Sequence, residues 1–417
     1  MADAFIIDAV RTPRSIGKVG KGALSKMLPQ HLAATVMKAI KDRNNIDTAD
    51  VDDVIWGVSA QFGAQAGDMG RMAALDAGYD VTASGVTLDR FCGSGLTAVN
   101  MAAGQIKAGF EDLVVAGGTE MLSYVNSYGA ELRASGLQKG GLGSNNPRLQ
   151  AKYPQTNQGV AADAIAAIAG ITREDIDKLG AESQRRAAIA LKEGRFAKST
   201  VPVYDEDGSL VLDHEEFPRP DTTVEGLSQL KPAFEAIADM PADAEGNTFK
   251  GLINKVYPDV DVKALHHAGT SSGVVDGAAA LLLASGDYAD AHGLTKRARV
   301  VATANMGGDP TLMLDAPVPA AKKVLKRAGL TKDDIDVWEV NEAFAVVVEK
   351  FIRELDIDRE KININGGAIA LGHPIGASGA VLIGTALDEL ERSGGRYALI
   401  TMCAAGGMAP AIIIERV

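Results

Sequence analysis

Two cysteines, a histidine and an asparagine lie in settings where their side chains could take part in chemistry. Cys92 lies in the segment 88–95, directly before a predicted helix, and Gly93 and Gly95 would let a ligand approach the backbone closely. A helix amino-terminus presents free N–H groups and the positive end of its dipole, which lower the pKa of a thiol. Cys92 is therefore predicted to be a nucleophile, with burial as an inert cysteine as the alternative.

Five glycines surround His373 in the segment 366–379, so this segment is predicted to be a tight loop that presents an imidazole. An imidazole can take a proton from a thiol and can donate a hydrogen bond to an oxyanion. His373 is the candidate base, and a core histidine with backbone partners is the alternative. The pair His266 and His267 borders the glycine-rich stretch 269–273 and is a further candidate for lining a pocket.

Cys403 and Asn341 each follow a predicted strand. Cys403 enters the glycine-rich segment 404–407 and could shuttle protons, because a thiol pKa of about 8.5 is readily tuned. Structural burial is the alternative for this thiol. Asn341 begins the segment 341–344 and could hold a water, or could equally cap the helix that follows.

Other common site patterns are missing from the sequence. The cysteines and histidines do not have the paired spacing of a metal site. There is no phosphate loop of the form Gly-x-x-x-x-Gly-Lys-Ser/Thr and no Gly-x-Gly-x-x-Gly after the first predicted strand. The sequence therefore predicts no metal, no ATP and no dinucleotide.

The composition is that of an ordinary globular protein with an acidic surface. The 417 residues are 46% hydrophobic and 23% charged, with a net charge of −12. This charge argues against nucleic acid and anionic membranes as partners. Two cysteines and no signal-peptide pattern predict a reducing, cytoplasmic location. The uncharged stretches 363–387 and 397–414 are interrupted by glycine and proline, so they predict buried strands and loops rather than membrane spans.

Short apolar runs alternate with helical patterns along the chain. Such alternation favours an α/β fold with a largely buried sheet. Strands are predicted over 4–10, 54–58, 113–116, 299–304, 337–340 and 398–402, and helices over 31–40, 96–106, 160–169, 176–193, 320–328 and 381–390.

The chain carries a faint internal repeat. Trp56 and Trp338 lie in similar apolar segments 282 residues apart, and Ser94 and Ser378 open glycine-rich helices 284 residues apart. After each of these helices comes a predicted strand that ends in Gly-Gly. Two features at nearly one offset indicate a duplicated fold. The two glycine pairs are Gly117-Gly118 and Gly406-Gly407.

The region between the two halves has a different sequence pattern. Strand–helix alternation fades over residues 119–267, where 139–147 has the composition of a loop and 205–208 that of a turn. An insertion of this size beside a site usually shapes the ligand pocket, so it is predicted to be a lid. The predicted organisation is an amino-terminal half over 1–119 completed by about 268–290, an inserted lid over 120–267 and a carboxyl-terminal half over 291–417.

The blocks around Cys92, Asn341, His373 and Cys403, in this order, resemble those of the thiolase family, the acetyl-CoA acyltransferases. The segment 9–13 also resembles the opening segment of that family. The similarity spans nearly the whole chain. It implies an α/β fold of two duplicated halves in a five-layer αβαβα arrangement, with an inserted lid or loop domain.

The resemblance also implies a role for each site residue. Cys92 would accept the acyl group, and Cys403 would be the general acid and base. His373 would activate Cys92 and, with a water held by Asn341, form one oxyanion site. A second oxyanion site would consist of the backbone N–H groups of Cys92 and Ala405. Coenzyme A contacts would come from Arg219, Ser272 and Gln158.

The implied reaction is the reversible, CoA-dependent cleavage of a 3-ketoacyl-CoA to acetyl-CoA and a shortened acyl-CoA. It proceeds through an acyl-cysteine, with coenzyme A as co-substrate and no permanently bound cofactor. A degradative role is favoured, because Asp89, Ala405 and the segment 157–159 depart from common family patterns and leave the acyl specificity open. Members are usually homodimers or homotetramers. The alternatives are a biosynthetic acetoacetyl-CoA thiolase, a β-ketoacyl synthase, a non-catalytic lipid carrier and a cysteine protease.

Overall fold

The structure is a computed structural model that describes residues 2–134, 146–243 and 245–417. Most of the loop predicted over 139–147 therefore lies outside the described residues. The strands are β1 Ala4–Arg11, β2 Ser15–Ile16, β3 Asp53–Gly57, β4 Val86–Leu88, β5 Leu113–Met121, β6 Val203–Tyr204, β7 Leu210–Leu212, β8 Val275–Ser285, β9 Ala298–Gly307, β10 Val337–Val340, β11 Tyr397–Thr401 and β12 Met408–Arg416. The helices are α1 Pro29–Asn44, α2 Met69–Asp76, α3 Ser94–Ala108, α4 Leu122–Ala134, α5 Pro147–Lys152, α6 Gln158–Ala169, α7 Arg173–Lys192, α8 Val224–Ser228, α9 Glu235–Ala238, α10 Phe249–Val256, α11 Gly286–Ala291, α12 Pro317–Ala328, α13 Ala345–Leu355, α14 Ala368–Leu371 and α15 Ile375–Ser393.

The central strands form two half-sheets that meet along one short contact. Their order is β10-β11-β12-β9-β1-β8-β5-β3-β4, and β2 pairs with β8. Strands β1 and β9 pair only at Phe5 with Arg299 and at Ile6 with Ala298, so this contact divides the path. The pairs β3–β4, β3–β5 and β10–β11 are parallel, whereas β1–β8, β5–β8, β9–β12 and β11–β12 are antiparallel.

Three apolar clusters show how helices cover both faces of each half-sheet. One cluster joins α1 and α2 to the outer face of the β1-β8-β5-β3 half. A second joins α3 and α15 to the inner faces of both halves. A third joins α12, α13 and the helices α6 and α7 to the outer face of the β9–β12 half. The layers are therefore α, β, α, β and α, which confirms the predicted fold class.

The individually predicted strands and helices all appear, with ends shifted by a few residues. The prediction of buried strands and loops over 363–387 is wrong, because most of this stretch lies in α14 and α15. These helices are buried on nearly all sides, so they lack a polar face that would mark them as helices. Strand β8 was not predicted, because its alanine-rich beginning gave a weak strand pattern. Strand β12 lies mostly in the stretch 397–414, which was predicted to hold buried strands and loops. The prediction that a strand ends at Gly117-Gly118 is wrong, since β5 continues to Met121. The lack of a side chain at these two glycines instead lets the backbone of neighbouring segments approach closely. A Cβ atom on Gly117 would overlap the carbonyl oxygen of Ala279, and one on Gly118 would overlap that of Gly376.

The internal repeat corresponds to equivalent positions in the two halves. Trp56 in β3 and Trp338 in β10 are both fully buried. Helices α3 and α15, which begin near Ser94 and Ser378, pack against each other in the central layer.

The region of the predicted lid is tied to both halves by buried polar contacts. The carboxylate of Glu215 receives two hydrogen bonds from the Arg14 guanidinium, at 3.0 and 3.1 Å, and forms an ion pair of 2.5 Å with Arg11. On the other side, Ser183 of α7 donates a hydrogen bond of 2.6 Å to Glu342. These contacts join residues from 120–267 to the residues around the site, while the division into three domains stays a prediction.

Candidate active site

Cys92 lies in the tight turn between β4 and α3. Phe91, directly before it, has a φ angle of 50°, which residues other than glycine rarely adopt. The turn is held by Ser94, whose Oγ atom accepts a hydrogen bond of 2.8 Å from the Arg90 N–H and donates one of 2.7 Å to the Phe91 carbonyl. The turn thus holds the Cys92 side chain at the amino-terminus of α3, as the sequence predicts.

His373 is held by its backbone and by both ring nitrogens. Its backbone N–H donates to the carbonyl of Gly273 at 2.9 Å. The Nδ1 atom lies 2.5 Å from the Oγ atom of Ser378, one turn into α15. The Nε2 atom lies 3.5 Å from the Nδ2 atom of Asn341. The ring is therefore oriented with Nδ1 toward α15 and Nε2 toward Asn341.

Glycines bring the turns of Cys92 and His373 together. A Cβ atom on Gly95 would lie 2.6 Å from the carbonyl oxygen of Gly376, so the amino-terminal turns of α3 and α15 are in direct backbone contact. A Cβ atom on Gly379 would overlap the backbone nitrogen of Leu96. The two helices therefore pack as closely as glycine allows, at the ends that carry the thiol and the imidazole.

Asn341 and Cys403 follow the neighbouring parallel strands β10 and β11 and lie at one edge of the sheet. The backbone N–H of Asn341 donates to the carbonyl of Thr401 at 3.2 Å. Helix α13 begins at Ala345 with Phe344 as its N-cap, so the alternative in which Asn341 caps this helix is wrong.

The loop that carries Cys403 also contacts the turn that carries Cys92. A Cβ atom on Gly93 would lie 2.9 Å from the ring of Pro410 and 3.4 Å from the Cβ atom of Ala404. Burial raises the pKa of Cys403 above its ordinary value, and the nearby Cys92 thiol raises it further. The structure thus brings the two thiols, the imidazole and the amide of Asn341 into one region.

The pKa values of the thiol and the imidazole follow from burial. Burial, followed by the nearby Glu120, raises the pKa of Cys92 to about 12. The expectation that the helix amino-terminus lowers this pKa is therefore wrong, because the thiol is only 8% exposed and loses its hydration. Burial also lowers the pKa of His373 to about 4. At neutral pH the resting pair is a neutral thiol and a neutral imidazole.

The hairpin between β11 and β12 presents backbone N–H groups beside the thiols. Gly406 and Gly407, with φ angles of 78° and 79°, form its turn. Within the described residues, the backbone N–H groups of Cys92 and Ala405 have no backbone acceptor. Both residues are buried, and their N–H groups stay the candidates for an oxyanion site.

The three residues with implied coenzyme A contacts lie on neighbouring segments. Gln158 begins α6 and lines a cavity of about 380 Å³ together with Phe234 and Phe344. The backbone N–H of Ser272 donates to the carbonyl of Ala343 at 3.0 Å, directly before Phe344.

Arg219 reaches the same neighbourhood from the other side of this segment. The ring of Phe217 covers Gly273, next to Ser272. Arg219, two residues after Phe217, is exposed, and its backbone N–H donates to the Gln184 side chain at 2.8 Å.

The pair His266 and His267 has structural partners instead of a place in a described cavity. His266 Nδ1 lies 2.6 Å from Asp163, and His267 Nε2 lies 2.7 Å from Asp177. Both rings are at most 1% exposed. These contacts support the structural interpretation of the pair.

Two supporting residues could not be recognised in the sequence. Glu120 accepts hydrogen bonds from the backbone N–H groups of Ser59, Ala60 and Gly376, at 3.0 to 3.1 Å, and so ties β5 to the His373 loop. Ser378 contacts the imidazole, and its position at a glycine-rich helix start was the only sequence feature that could have indicated this contact. In the described residues no cluster of side chains could hold a metal ion. Among the same residues no helix has the length and apolar character needed to cross a membrane.

Comparisons with known proteins agree with this arrangement. The family pattern described as "Thiolase, N-terminal domain" matches residues 4–240, and "Thiolase, C-terminal domain" matches residues 294–416. A beta-ketoadipyl-CoA thiolase of Acinetobacter baylyi is 42% identical, with 100% of both chains covered. A steroid 3-ketoacyl-CoA thiolase of Mycobacterium tuberculosis is 39% identical, with 100% of this chain and 95% of that protein covered. The crystal structure of the Bacillus anthracis acetyl-CoA acetyltransferase superposes with a TM-score of 0.82 at 32% identity, covering 100% of this chain and 99% of that one.

The chain therefore belongs to the thiolase family, as its sequence blocks indicated. It is an acyltransferase that cleaves a 3-ketoacyl-CoA with coenzyme A in the degradative direction. This confirms the predicted function, and the biosynthetic alternative is not favoured.

Proposed function

We propose that Cys92, His373, Asn341 and Cys403 carry out the thiolysis. The observation that supports this most directly is the packing of Gly95 on Gly376, which brings the nucleophile turn and the imidazole loop into contact. Cys92 is the nucleophile, His373 its base and Cys403 the general acid and base.

The first half-reaction transfers the acyl group to the enzyme. As Cys92 attacks the keto carbon, its proton passes to the Nε2 atom of His373, since the buried thiol does not ionise alone. The carbon–carbon bond then breaks, and the thioester enolate leaves. Donors placed at the developing oxyanion each lower the barrier by about 3 kcal/mol. Cys403 protonates the enolate carbon, which gives acetyl-CoA.

The second half-reaction releases the acyl group. Coenzyme A enters, Cys403 takes the proton of its thiol, and the thiolate attacks the acyl carbonyl on Cys92. The N–H groups of Cys92 and Ala405 stabilise the tetrahedral oxyanion. The acyl-CoA leaves, and the Cys92 thiolate takes its proton back from Nε2 of His373. Arg219, Ser272 and Gln158 hold coenzyme A, which is a co-substrate rather than a bound cofactor.

Two cysteine variants test this assignment of roles. Cys92→Ala is expected to abolish acyl-enzyme formation, because it removes the thiol that accepts the acyl group. Cys403→Ala is expected to form the acyl-enzyme on Cys92 but to turn over slower by orders of magnitude. Mass spectrometry of the intact protein after mixing with a 3-ketoacyl-CoA detects the acyl adduct. Activity of either variant equal to that of the parent would contradict the assignment.

We further propose that the substrate is a 3-ketoacyl-CoA larger than acetoacetyl-CoA whose acyl chain ends in a carboxylate. Relatives named beta-ketoadipyl-CoA thiolase and 3-oxoadipyl-CoA/3-oxo-5,6-dehydrosuberyl-CoA thiolase support this substrate class. Arg90, two residues before Cys92, is half-buried, and its guanidinium has no partner among the described residues. Desolvation lowers the pKa of Arg90, so a carboxylate partner would restore the lost interactions.

Arg90→Gln tests this substrate class with two substrates of equal chain length. The variant is expected to raise KM for 3-oxoadipyl-CoA by roughly 10-fold or more, the value of one charge-assisted hydrogen bond. It is expected to leave KM for 3-oxohexanoyl-CoA, which has no terminal carboxylate, unchanged. Equal effects on the two substrates, or a preference of the parent for acetoacetyl-CoA, would reject the proposal.

We also propose that the protein is a cytoplasmic homodimer or homotetramer. Strand β4 is an outer strand of the described sheet, and outer strands offer unpaired backbone groups to a partner. Exposed apolar side chains lie beside it on β4, on α2 and between them, which fits an interface between copies of the chain. These side chains are Met72, Leu75, Val81 and Val86.

A further inference from the structure

Glu339 is a buried carboxyl group that the reaction described above does not use. It lies on β10, two residues before Asn341, and both residues line one small cavity. The residue is 1% exposed, and neither of its carboxyl oxygens has a hydrogen-bond partner among the described residues. A buried carboxyl group without partners is costly, which indicates that a molecule absent from the protein chain satisfies it.

A small cavity lies beside this carboxyl group. Its volume is about 20 Å³, which is enough for one water molecule and too small for a substrate. Its polar lining comes from Arg14, Glu339, Asn341, Ser378 and Thr385. The cavity therefore connects Glu339 with Ser378, whose hydroxyl contacts the imidazole of His373.

Burial and the neighbouring carboxyl groups favour the protonated form of Glu339. Burial, followed by the neighbouring Glu342 and Glu389, raises the pKa of Glu339 well above its ordinary value. The nearby cations have other partners, since Arg14 binds Glu215 and Arg186 binds Glu182. These surroundings favour the carboxylic acid, which has one donor and one acceptor, over the carboxylate.

We propose that Glu339, through one water enclosed in this cavity, fixes the tautomer of His373 in which Nε2 is the proton acceptor. The water accepts hydrogen bonds from the hydroxyls of Ser378 and Glu339 and donates one to the Glu339 carbonyl. Because the Ser378 hydroxyl donates its proton to the water, its Oγ atom can only accept a hydrogen bond from the Nδ1–H of His373. This leaves the Nε2 lone pair as an acceptor, which faces the Asn341 amide nitrogen at 3.5 Å in the resting site and takes the Cys92 proton during attack. Glu339 is a positioning residue, and the inference rests on the base role proposed for His373.

Glu339→Leu and Glu339→Gln separate this role from a structural one. Leucine removes both hydrogen bonds to the water, so Ser378 donates to Nδ1 and the imidazole proton moves to Nε2. The acylation rate is expected to fall roughly 10- to 100-fold, as when other orienting partners are removed. Glutamine donates and accepts as a carboxylic acid does, so its rate is expected to stay within about threefold of the parent.

The readouts are the acylation burst, the nitrogen-15 spectrum of labelled histidine and the crystal structure. In the parent and in Glu339→Gln, His373 is expected to carry its proton on Nδ1 and the cavity to hold one water. In Glu339→Leu, the proton is expected on Nε2 and the cavity is expected to be dry. Thr385→Val is the matched control, because its hydroxyl lines the same cavity but donates to the Val381 carbonyl at 2.9 Å. It is expected to keep the parent tautomer and acylation rate.

A double variant and three possible results test the positioning role of Glu339. Adding Ser378→Ala to Glu339→Leu is expected to cause less further loss than Ser378→Ala causes alone, because both act through one chain of hydrogen bonds. The inference is overturned if Glu339→Leu acylates at the parent rate, if it slows without a change of tautomer, or if Glu339→Gln loses as much as Glu339→Leu. The proposed function has its own separate test, since it is Cys92→Ala that must lose the acyl adduct.

Discussion

At the scale of single residues, burial favours the uncharged forms of the Cys92 thiol and the His373 imidazole. The buried Cys92 thiol has a raised pKa of about 12, and the buried His373 has a lowered pKa of about 4. An ion pair therefore does not exist before substrate binds, and proton transfer must accompany attack. This arrangement protects the thiol from oxidation, since the thiolate is the reactive form.

The lowered pKa of His373 predicts the pH dependence of acylation. His373 must be neutral to accept a proton, and its neutral form persists as the pH falls until about 4. The value of kcat/KM is therefore expected not to decline through about pH 6.5, the ordinary histidine pKa, and to fall only at more acidic pH. Burst kinetics across the pH range in which the fold is intact, checked by circular dichroism, measure this. A break near the ordinary histidine pKa would show that a solvated base acts instead.

At the scale of secondary structure elements, the helix pair α3–α15 determines how closely the turns of Cys92 and His373 approach each other. Gly95 and Gly379 allow backbone contact at the ends of these helices, and Glu120 fixes the same loop through its hydrogen bond to Gly376. A side chain at either glycine would push the two turns apart. Geometry rather than charge is thus the reason for the glycines in this region.

Substitution of Gly95 should therefore affect catalysis more than folding. In Gly95→Ala, the new Cβ atom would approach the Gly376 carbonyl to 2.6 Å, so the helices must separate. Acylation is expected to fall on the order of 100-fold, because displacements of about 1 Å cost that much, while stability falls by about 1–3 kcal/mol.

Gly104→Ala on the same helix is the matched control for this substitution. Nothing lies within 4 Å of its Cβ position, so it is expected to gain about 0.5–1 kcal/mol of stability and to keep its activity. Urea unfolding and burst kinetics measure both quantities. Parent-like acylation by Gly95→Ala would show that the helix contact does not set the site.

At the scale of the whole molecule, the proposed active site takes its residues from segments that follow strands of both half-sheets. Cys92 comes from the first half, and His373, Asn341 and Cys403 come from the second. Strands β1 and β9 join the half-sheets through only two residue pairs, so the central helices α3 and α15 supply most of the connection. The outer strand β4 stays open to a second copy of the chain.

A charge on that outer strand is expected to dissociate the oligomer. Val86→Lys introduces a charge at a side chain that is 40% exposed, and burying it in an interface would be costly. Light scattering after size exclusion should change from a multiple of the chain mass to the chain mass. Leu210→Lys, on an exposed side chain of β7, is the control and should leave the mass unchanged. A parent protein that is monomeric would reject the proposed oligomer.

Several features of the site followed from the sequence because they depend on residue type and local context. The glycine-rich segments around Cys92 and His373, and the strands before Asn341 and Cys403, are local patterns. The sequence could not reveal Glu339 as unpaired or Ser378 as the partner of Nδ1, because both facts depend on segments far apart in the chain. The direction of the Cys92 pKa was wrong for the same reason, since the helix effect is local and burial is not.

The sequence by itself determined the alternation of elements, the duplicated halves and the four side chains with reactive chemistry, because periodicity and residue type act over short distances. The tertiary structure decided which of those side chains meet, how far each loses its hydration and where a water can be enclosed. These properties arise from packing between elements such as α3 and α15, which brings together residues separated by more than 280 positions.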